Sequence, residues 1–412
     1  MADTPQRIPR DVRMKGFAER ASVGEAIEWL DRFPTTRAAE NVALGSAIGR
    51  ILREPYVAPV ASPSQDTAVK DGYALRSCET VGASSYNPLP FCLQAFQPAL
   101  RPFSAELVTY GSLLPMGADA VVSFDLVQTE ADSVNLIGSV AQGDGVAVQG
   151  QEAQAGTVLI ETNRPLRPFD LGLIASFGIK RIPVLRRPKV RILLAGSKQT
   201  TKGNLPDSNG PMLRALVARD GGSIEICKYG IADRDAMTEW MSRPGADLVL
   251  MCGRTGVGPE DDAPLALTEV GTLSMHGIAL HPGGSTGMGS VGSVPVLLLP
   301  GSPLDCLCAY DLFAGRLIRR LGGQTPALPY GLRQAKVKRK IVSSVGTVEL
   351  CRVLLIAGDA LPLGRADSGG LASVAHADGF LLIPSALEGY APGTMVDVYT
   401  YDQTQNVEGI WK

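Results

Sequence analysis

Val190-Arg191-Ile192-Leu193-Leu194-Ala195-Gly196-Ser197 carries an apolar strand straight into a glycine-containing turn. The chain repeats the pattern twice. Residues 248–251 run into Cys252-Gly253-Arg254-Thr255-Gly256-Val257-Gly258, and Val294–Leu299 runs into Pro300-Gly301-Ser302-Pro303. Short apolar runs alternating with helical patterns predict a parallel sheet buried on both faces. Such sheets bind ligands at the carboxyl ends of their strands, so three glycine-rich exits on one edge predict a cleft for an anion or a nucleotide. The backbone of a binding site is present, but acidic and basic side chains around it are thin.

The whole chain, 412 residues long, has room for roughly two to four domains. A formal net charge of −2 with mixed signs gives no broad basic surface for DNA or RNA. The first twenty residues are too polar for a signal peptide, and no run approaches a membrane span, so a cytoplasmic protein is expected. Seven cysteines, an odd number with several inside apolar runs, fit buried reduced thiols. Cys306-Leu307-Cys308 has no neighbouring histidine to complete a zinc site. With only His276, His281 and His376 in the chain, histidine-based metal sites and hydrolytic triads are disfavoured.

Along the chain the composition predicts a multidomain α/β protein. Residues 1–56 with 151–186 read as a helical domain, residues 57–150 as a β-rich insertion within it, 187–324 as a doubly wound α/β domain with a mainly parallel sheet, and 325–412 as a β-barrel-like domain. Ser22 followed by Glu25 is a capping-box signature, and a second helical pattern is expected over residues 38–53. Asp207-Ser208-Asn209-Gly210-Pro211 predicts a helix start stopped by Gly221-Gly222. As a cap this start needs no ligand, but its free amides also suit an anion. Asp233 is placed to cap the helix carrying Met237 and Trp240, a role compatible with holding a metal.

In order, these segments resemble the molybdopterin molybdenumtransferase family, the MoeA-type proteins and the C-terminal domain of gephyrin. Residues 63–75 are similar to the family's P-x-x-D-x-S-A-M-D-G-Y-A, and residues 111–122 to its T-G-x-x-L-P-x-G-A-D-A-V-V. Asp207-Ser208-Asn209, residues 252–261 (S-G-G-x-S-x-G-x-x-D), Pro282-Gly283 and Leu299-Pro300-Gly301-Ser302-Pro303 (L-P-G-N-P) continue the series, and residues 368–393 resemble the final β domain. The resemblance implies an elongated homodimer in which the α/β domain of one subunit faces the insertion of the other. It implies adenylylated molybdopterin and molybdate as substrates, a divalent cation such as Mg2+, and release of molybdenum cofactor and AMP. Asp71, Asp233 and Asp261 match family carboxylates and would serve as metal ligands and catalytic groups. Asp207, Ser208, Asn209, Gly253, Gly256, Gly258, Pro300, Gly301, Ser302 and Pro303 would line the pterin-phosphate site.

Several positions depart from the family pattern. Lys198 stands where an acidic residue belongs, Arg254 where the second glycine of S-G-G belongs, and the family's lysines align with Gly277, His281 and Gly284. Ala68 replaces a serine, Lys70 a methionine, Tyr110 a threonine, and Glu152 an aspartate. Lys198, Arg254 and His281 are then the groups left to meet an anion. Two readings follow: a working molybdenumtransferase with a variant site, or a catalytically reduced paralogue that binds molybdopterin, molybdenum cofactor or a partner enzyme. Asp71 in its Asp-Gly pair and Asp261 between Glu260 and Asp262 also read as ordinary turn and loop residues.

Overall fold

The computed structural model describes residues 11–35, 38–95, 99–130, 132–162, 164–195, 207–231, 233–364 and 370–402. Its central sheet has six strands in the order Ser223–Ile231, Lys189–Ala195, Leu248–Cys252, Val294–Leu299, Gly287–Val291, Thr272–His276. The first four are parallel and the last two antiparallel. Leu248–Cys252 is buried at all five positions, as a strand covered on both faces must be. Alternation divides its side chains. Leu248, Leu250 and Cys252 pack with Leu213, Val217, Phe313 and Leu317 on one face, while Val249 and Met251 pack with Met237, Met241, Ala266 and Leu267 on the other.

The capping box at Ser22 forms as expected. The Ser22 hydroxyl accepts from the Glu25 amide and the Glu25 carboxylate from the Ser22 amide, starting the Val23–Leu30 helix. Ala26, Trp29 and Leu30 of that helix bury into the first face of the α/β core. Residues 38–53 are a correction. They hold the strand Ala39–Ala43, paired antiparallel with Arg181–Leu185, then a single 3-10 turn. Gly45 and Gly49 interrupt the helical pattern, and pairing with a distant strand outweighs the weak local propensity.

The insertion folds as a six-stranded sheet around Tyr73, Leu75, Phe91, Val122, Val134 and Leu136. Near the carboxyl end, Val348–Ile356, Asp359–Pro362, Gly331–Val337, Met395–Thr400 and Gly379–Ile383 pair successively and close back onto the first, a five-stranded barrel. Several contacts fasten barrel to α/β unit, among them a shared cluster of Leu304 and Cys308 with Leu350 and Phe380. Leu280–His281 adds as a parallel strand to Val348–Ile356, and buried Asp311 accepts from both Arg219 and the Tyr330 hydroxyl at 2.8 Å. No described helix is long and apolar enough to cross a membrane.

Candidate functional site

Three parallel strands, Lys189–Ala195, Leu248–Cys252 and Val294–Leu299, leave the sheet at one edge. The turns after Leu248–Cys252 and Val294–Leu299 pack backbone against backbone. Gly253 adopts φ +88°, and a Cβ there would lie 3.3 Å from that of Ala195 and 3.9 Å from the Gly301 Cα. A Cβ on Gly301 would reach the Gly253 Cα at 3.3 Å. Side chains here would press the two turns apart, which is the physical reason for glycine at both positions.

One wall is the start of the Asn209–Arg219 helix. Asp207 caps it, its carboxylate accepting from the Asn209 and Gly210 amides at 3.1 Å, whereas the Ser208 side chain makes no cap bond. Asn209 donates through Nδ2 to the Gly301 carbonyl at 2.8 Å, and its buried Oδ1 is without a hydrogen-bond partner. Pro300 accepts from the Cys252 thiol through its carbonyl, and Ser302 and Pro303 open the Pro303–Ala309 helix.

The loop after Leu248–Cys252 is held from inside. Asp261 accepts from the Gly258 amide at 2.6 Å, and its Oδ2 sits where a Cβ on Gly256 would come within 2.8 Å. Buried Thr255 donates to the Leu299 carbonyl at 3.3 Å. Arg254 takes a left-handed backbone, φ +56°, which costs a non-glycine residue about 1–3 kcal/mol. Its side chain is only 9% exposed, and its guanidinium pairs with the exposed Glu260 at 3.3 Å. Asp233 caps the Arg234–Ser242 helix, accepting from the Ala236 amide at 2.8 Å.

Behind this loop, His276 meets the Thr255 carbonyl at 2.8 Å through Nε2, and burial holds its pKa below the ordinary imidazole value. An amino-terminal segment that the sequence reading missed lies across the same region. Met14 donates its amide to the Val257 carbonyl at 2.7 Å, and Arg13 pairs with Asp262 at 2.6 Å. Phe17 meets His276 edge to face at 4.9 Å and covers Gly277; Arg20 covers Gly284. Gly277 and Gly284 are two positions where the family resemblance places lysines, and both are pressed by side chains from this segment. Residues 11–20 lack apolar periodicity, so no pattern marked them. The bare glycines were the one available hint.

His281 ends the short strand Leu280–His281, and the loop after it is pinned by the Gly283 amide donating to Asp305 at 2.8 Å. Asp71 lies elsewhere in the chain. It is exposed at a turn of the insertion and accepts from the Tyr110 amide at 2.7 Å. Lys198 lies outside the described residues. Among the described residues no group of three or more His, Cys, Asp or Glu side chains could hold a metal ion. Asp71, Asp233 and Asp261, expected as one metal set, each accept from a backbone amide through one carboxylate oxygen.

Comparison with known sequences accounts for the cleft and its companions together. Residues 21–178 match the "MoeA N-terminal region (domain I and II)", residues 191–320 a "Probable molybdopterin binding domain", and residues 334–401 the "MoeA C-terminal region (domain IV)". The chain belongs to the MoeA family. Its relatives include molybdopterin molybdenumtransferase 2 of Mycobacterium tuberculosis, 28% identical over 393 residues, covering 87% of this chain and 94% of that protein. The molybdopterin molybdenumtransferase of Staphylococcus aureus is 25% identical over 397 residues, covering 91% and 94%. The crystal structure of a molybdopterin biosynthesis MoeA protein from Pyrococcus horikoshii superposes with a TM-score of 0.76 at 27% identity, over 94% of this chain and all of that one. In this MoeA-family protein of molybdenum-cofactor biosynthesis, the cleft occupies the segment matched to the molybdopterin-binding description.

Proposed function

We propose that this MoeA-family chain is a molybdopterin molybdenumtransferase, which takes adenylylated molybdopterin and molybdate and releases molybdenum cofactor and AMP. One observation carries the proposal: the exits of Leu248–Cys252 and Val294–Leu299, floored by Gly253 and Gly301, are tied to the Asn209–Arg219 helix by the Asn209–Gly301 bond. Such a floor lets phosphate oxygens approach backbone amides closely. The unpartnered Oδ1 of Asn209 fits an N–H donor, of which a pterin ring system has several. Gly256 and Gly258, held by Asp261, keep the opposite rim low. The Pro300 and Pro303 rings limit the freedom of the turn that presents Gly301 and Ser302.

The working unit in this proposal is a homodimer. Beside Asp71 the insertion exposes Tyr110 (75%) and Leu113 (57%), with Leu107 and Met116 also out in solvent. Apolar side chains grouped this way suit a protein contact. Asp71 would then reach the cleft of the second subunit, where its free carboxylate oxygen could join the site. Carboxylates from two chains are also the arrangement in which Mg2+ coordination would become complete.

A second reading is favoured by one observation, the pairing of Arg254 with Glu260. In it the protein holds molybdopterin or finished cofactor for a partner enzyme without inserting metal. Expression in a bacterial strain that lacks its own molybdenumtransferase separates the two. Restored molybdoenzyme activity supports the transferase; none, with the protein folded and abundant, supports the binding protein.

A further inference from the structure

The segment 11–21 is tied down at both ends. Arg13 and Met14 hold the glycine loop through Asp262 and Val257, while Ala21 bonds to Gly277 and Ala279 just before the capped helix at Val23. Between these anchors Arg20 is exposed. Its guanidinium carbon lies 5.0 Å from the centre of the Phe17 ring, and Nη1 donates to the carbonyls of Ile278 and Gly284 at 3.4 Å. Both acceptors are neutral and both bonds are long, so they orient the guanidinium without cancelling its charge.

The site on which Arg20 rests is built for it. A Cβ on Gly284 would stand 2.2 Å from Nη1, so the guanidinium occupies the space that a side chain at position 284 would take. The loop carrying Gly284 adjoins the cleft on two sides. Ser285 meets Thr255 of the glycine loop at 3.5 Å, and Gly283 bonds to Asp305 of the helix that begins at Pro303. A permanent cation is thus delivered to the cleft rim from a segment distant in sequence. Arg254, the cation within the glycine loop, is meanwhile paired with Glu260.

We propose that Arg20 is an anion-binding residue of the cleft, contacting a phosphate or molybdate oxyanion through its guanidinium, with Phe17 and Gly284 as the residues that position it. The planar fork of an arginine suits tetrahedral oxyanions. This inference rests on the reading of the cleft as an anion site.

The test is calorimetric titration of the full-length protein with AMP and, separately, with molybdate, at two salt concentrations. Arg20→Gln is expected to weaken binding of at least one probe about tenfold and to flatten its salt dependence, with an unchanged melting midpoint. Arg20→Lys, which keeps the charge, is expected to restore part of the loss. Gly284→Ala, which displaces the guanidinium without removing it, should weaken binding in the same direction and covers the case in which Arg20→Gln is itself unstable. Wild-type binding with unchanged affinity in both Arg20→Gln and Gly284→Ala would overturn the role of Arg20 and leave the cleft intact. Absence of binding of either probe to the wild type would overturn the anion cleft and the inference together.

Discussion

The Asn209 side chain donates to the Gly301 carbonyl across 2.8 Å, joining the first residue of a helix to the turn after the fourth parallel strand. The two residues are 92 positions apart, and the bond ties the helix start to that turn. Asn209→Ala removes it and with it the unpartnered Oδ1. The expected cost is about 1 kcal/mol of stability, read from urea unfolding, and a larger relative loss in pterin or nucleotide affinity. Equal losses in both would make Asn209 a structural residue only.

Asp261 organises the opposite rim through the Gly258 amide. Asp261→Ala leaves that amide and the surrounding loop unsupported, and about 1–2 kcal/mol of stability should be lost. Asp261→Asn, whose amide oxygen can still accept from Gly258, should recover most of it. Gly256→Ala is expected to mimic Asp261→Ala, because its methyl group would press on Oδ2 from 2.8 Å. Denaturant midpoints of the three variants decide this ordering.

His276 gives the fold a pH dependence with a defined sign. Burial lowers its pKa from the ordinary 6.5, against smaller opposing contributions from its bond to Thr255 and from the charges of Asp261 and Asp11. As pH falls below about 6.5 the unfolded chain gains a proton on this imidazole that the folded chain resists, so stability drops in that direction. The contribution is fully present above pH 6.5 and is lost progressively below it. His276→Gln, which can still donate to the Thr255 carbonyl, should lose less stability than the wild type between pH 7.5 and 5.5. Parallel unfolding curves at the two pH values test it; identical losses would show that His276 is not the responsible group.

In the proposed homodimer, Asp71 of one subunit and Asp261 of the other build one site. Asp71→Asn and Asp261→Asn are each expected to abolish turnover. Mixing the two variants under conditions of subunit exchange should restore about a quarter of wild-type activity, since half the dimers are mixed and each carries one intact site of two. No recovery despite exchange would exclude a site built from both subunits.

The sequence made the sheet and its exits legible, because apolar runs ending in glycine report strand, burial and turn together. The capping residues Ser22, Asp207 and Asp233 were equally readable, since a cap is a local interaction. Residues 38–53 were misread as helix because their strand is imposed by a partner about 140 positions away, at Arg181–Leu185. The amino-terminal segment was missed for a related reason. Arg13, Phe17 and Arg20 act through contacts more than 240 positions distant in sequence, and nothing in their own spacing reveals a surface to lie on. Arg254 shows the limit for side chains: its place at the cleft followed from the motif, but its pairing with Glu260 depends on a left-handed backbone visible only in three dimensions.

The proposed metal insertion into molybdopterin is tested most directly by incubating the purified protein with adenylylated molybdopterin, molybdate and a magnesium salt and following AMP release in time. Molybdate-dependent AMP release over many turnovers is expected in the wild type, and its loss in Asp71→Asn. AMP release no faster than in the protein-free control, from folded protein that still binds the pterin nucleotide, would contradict it.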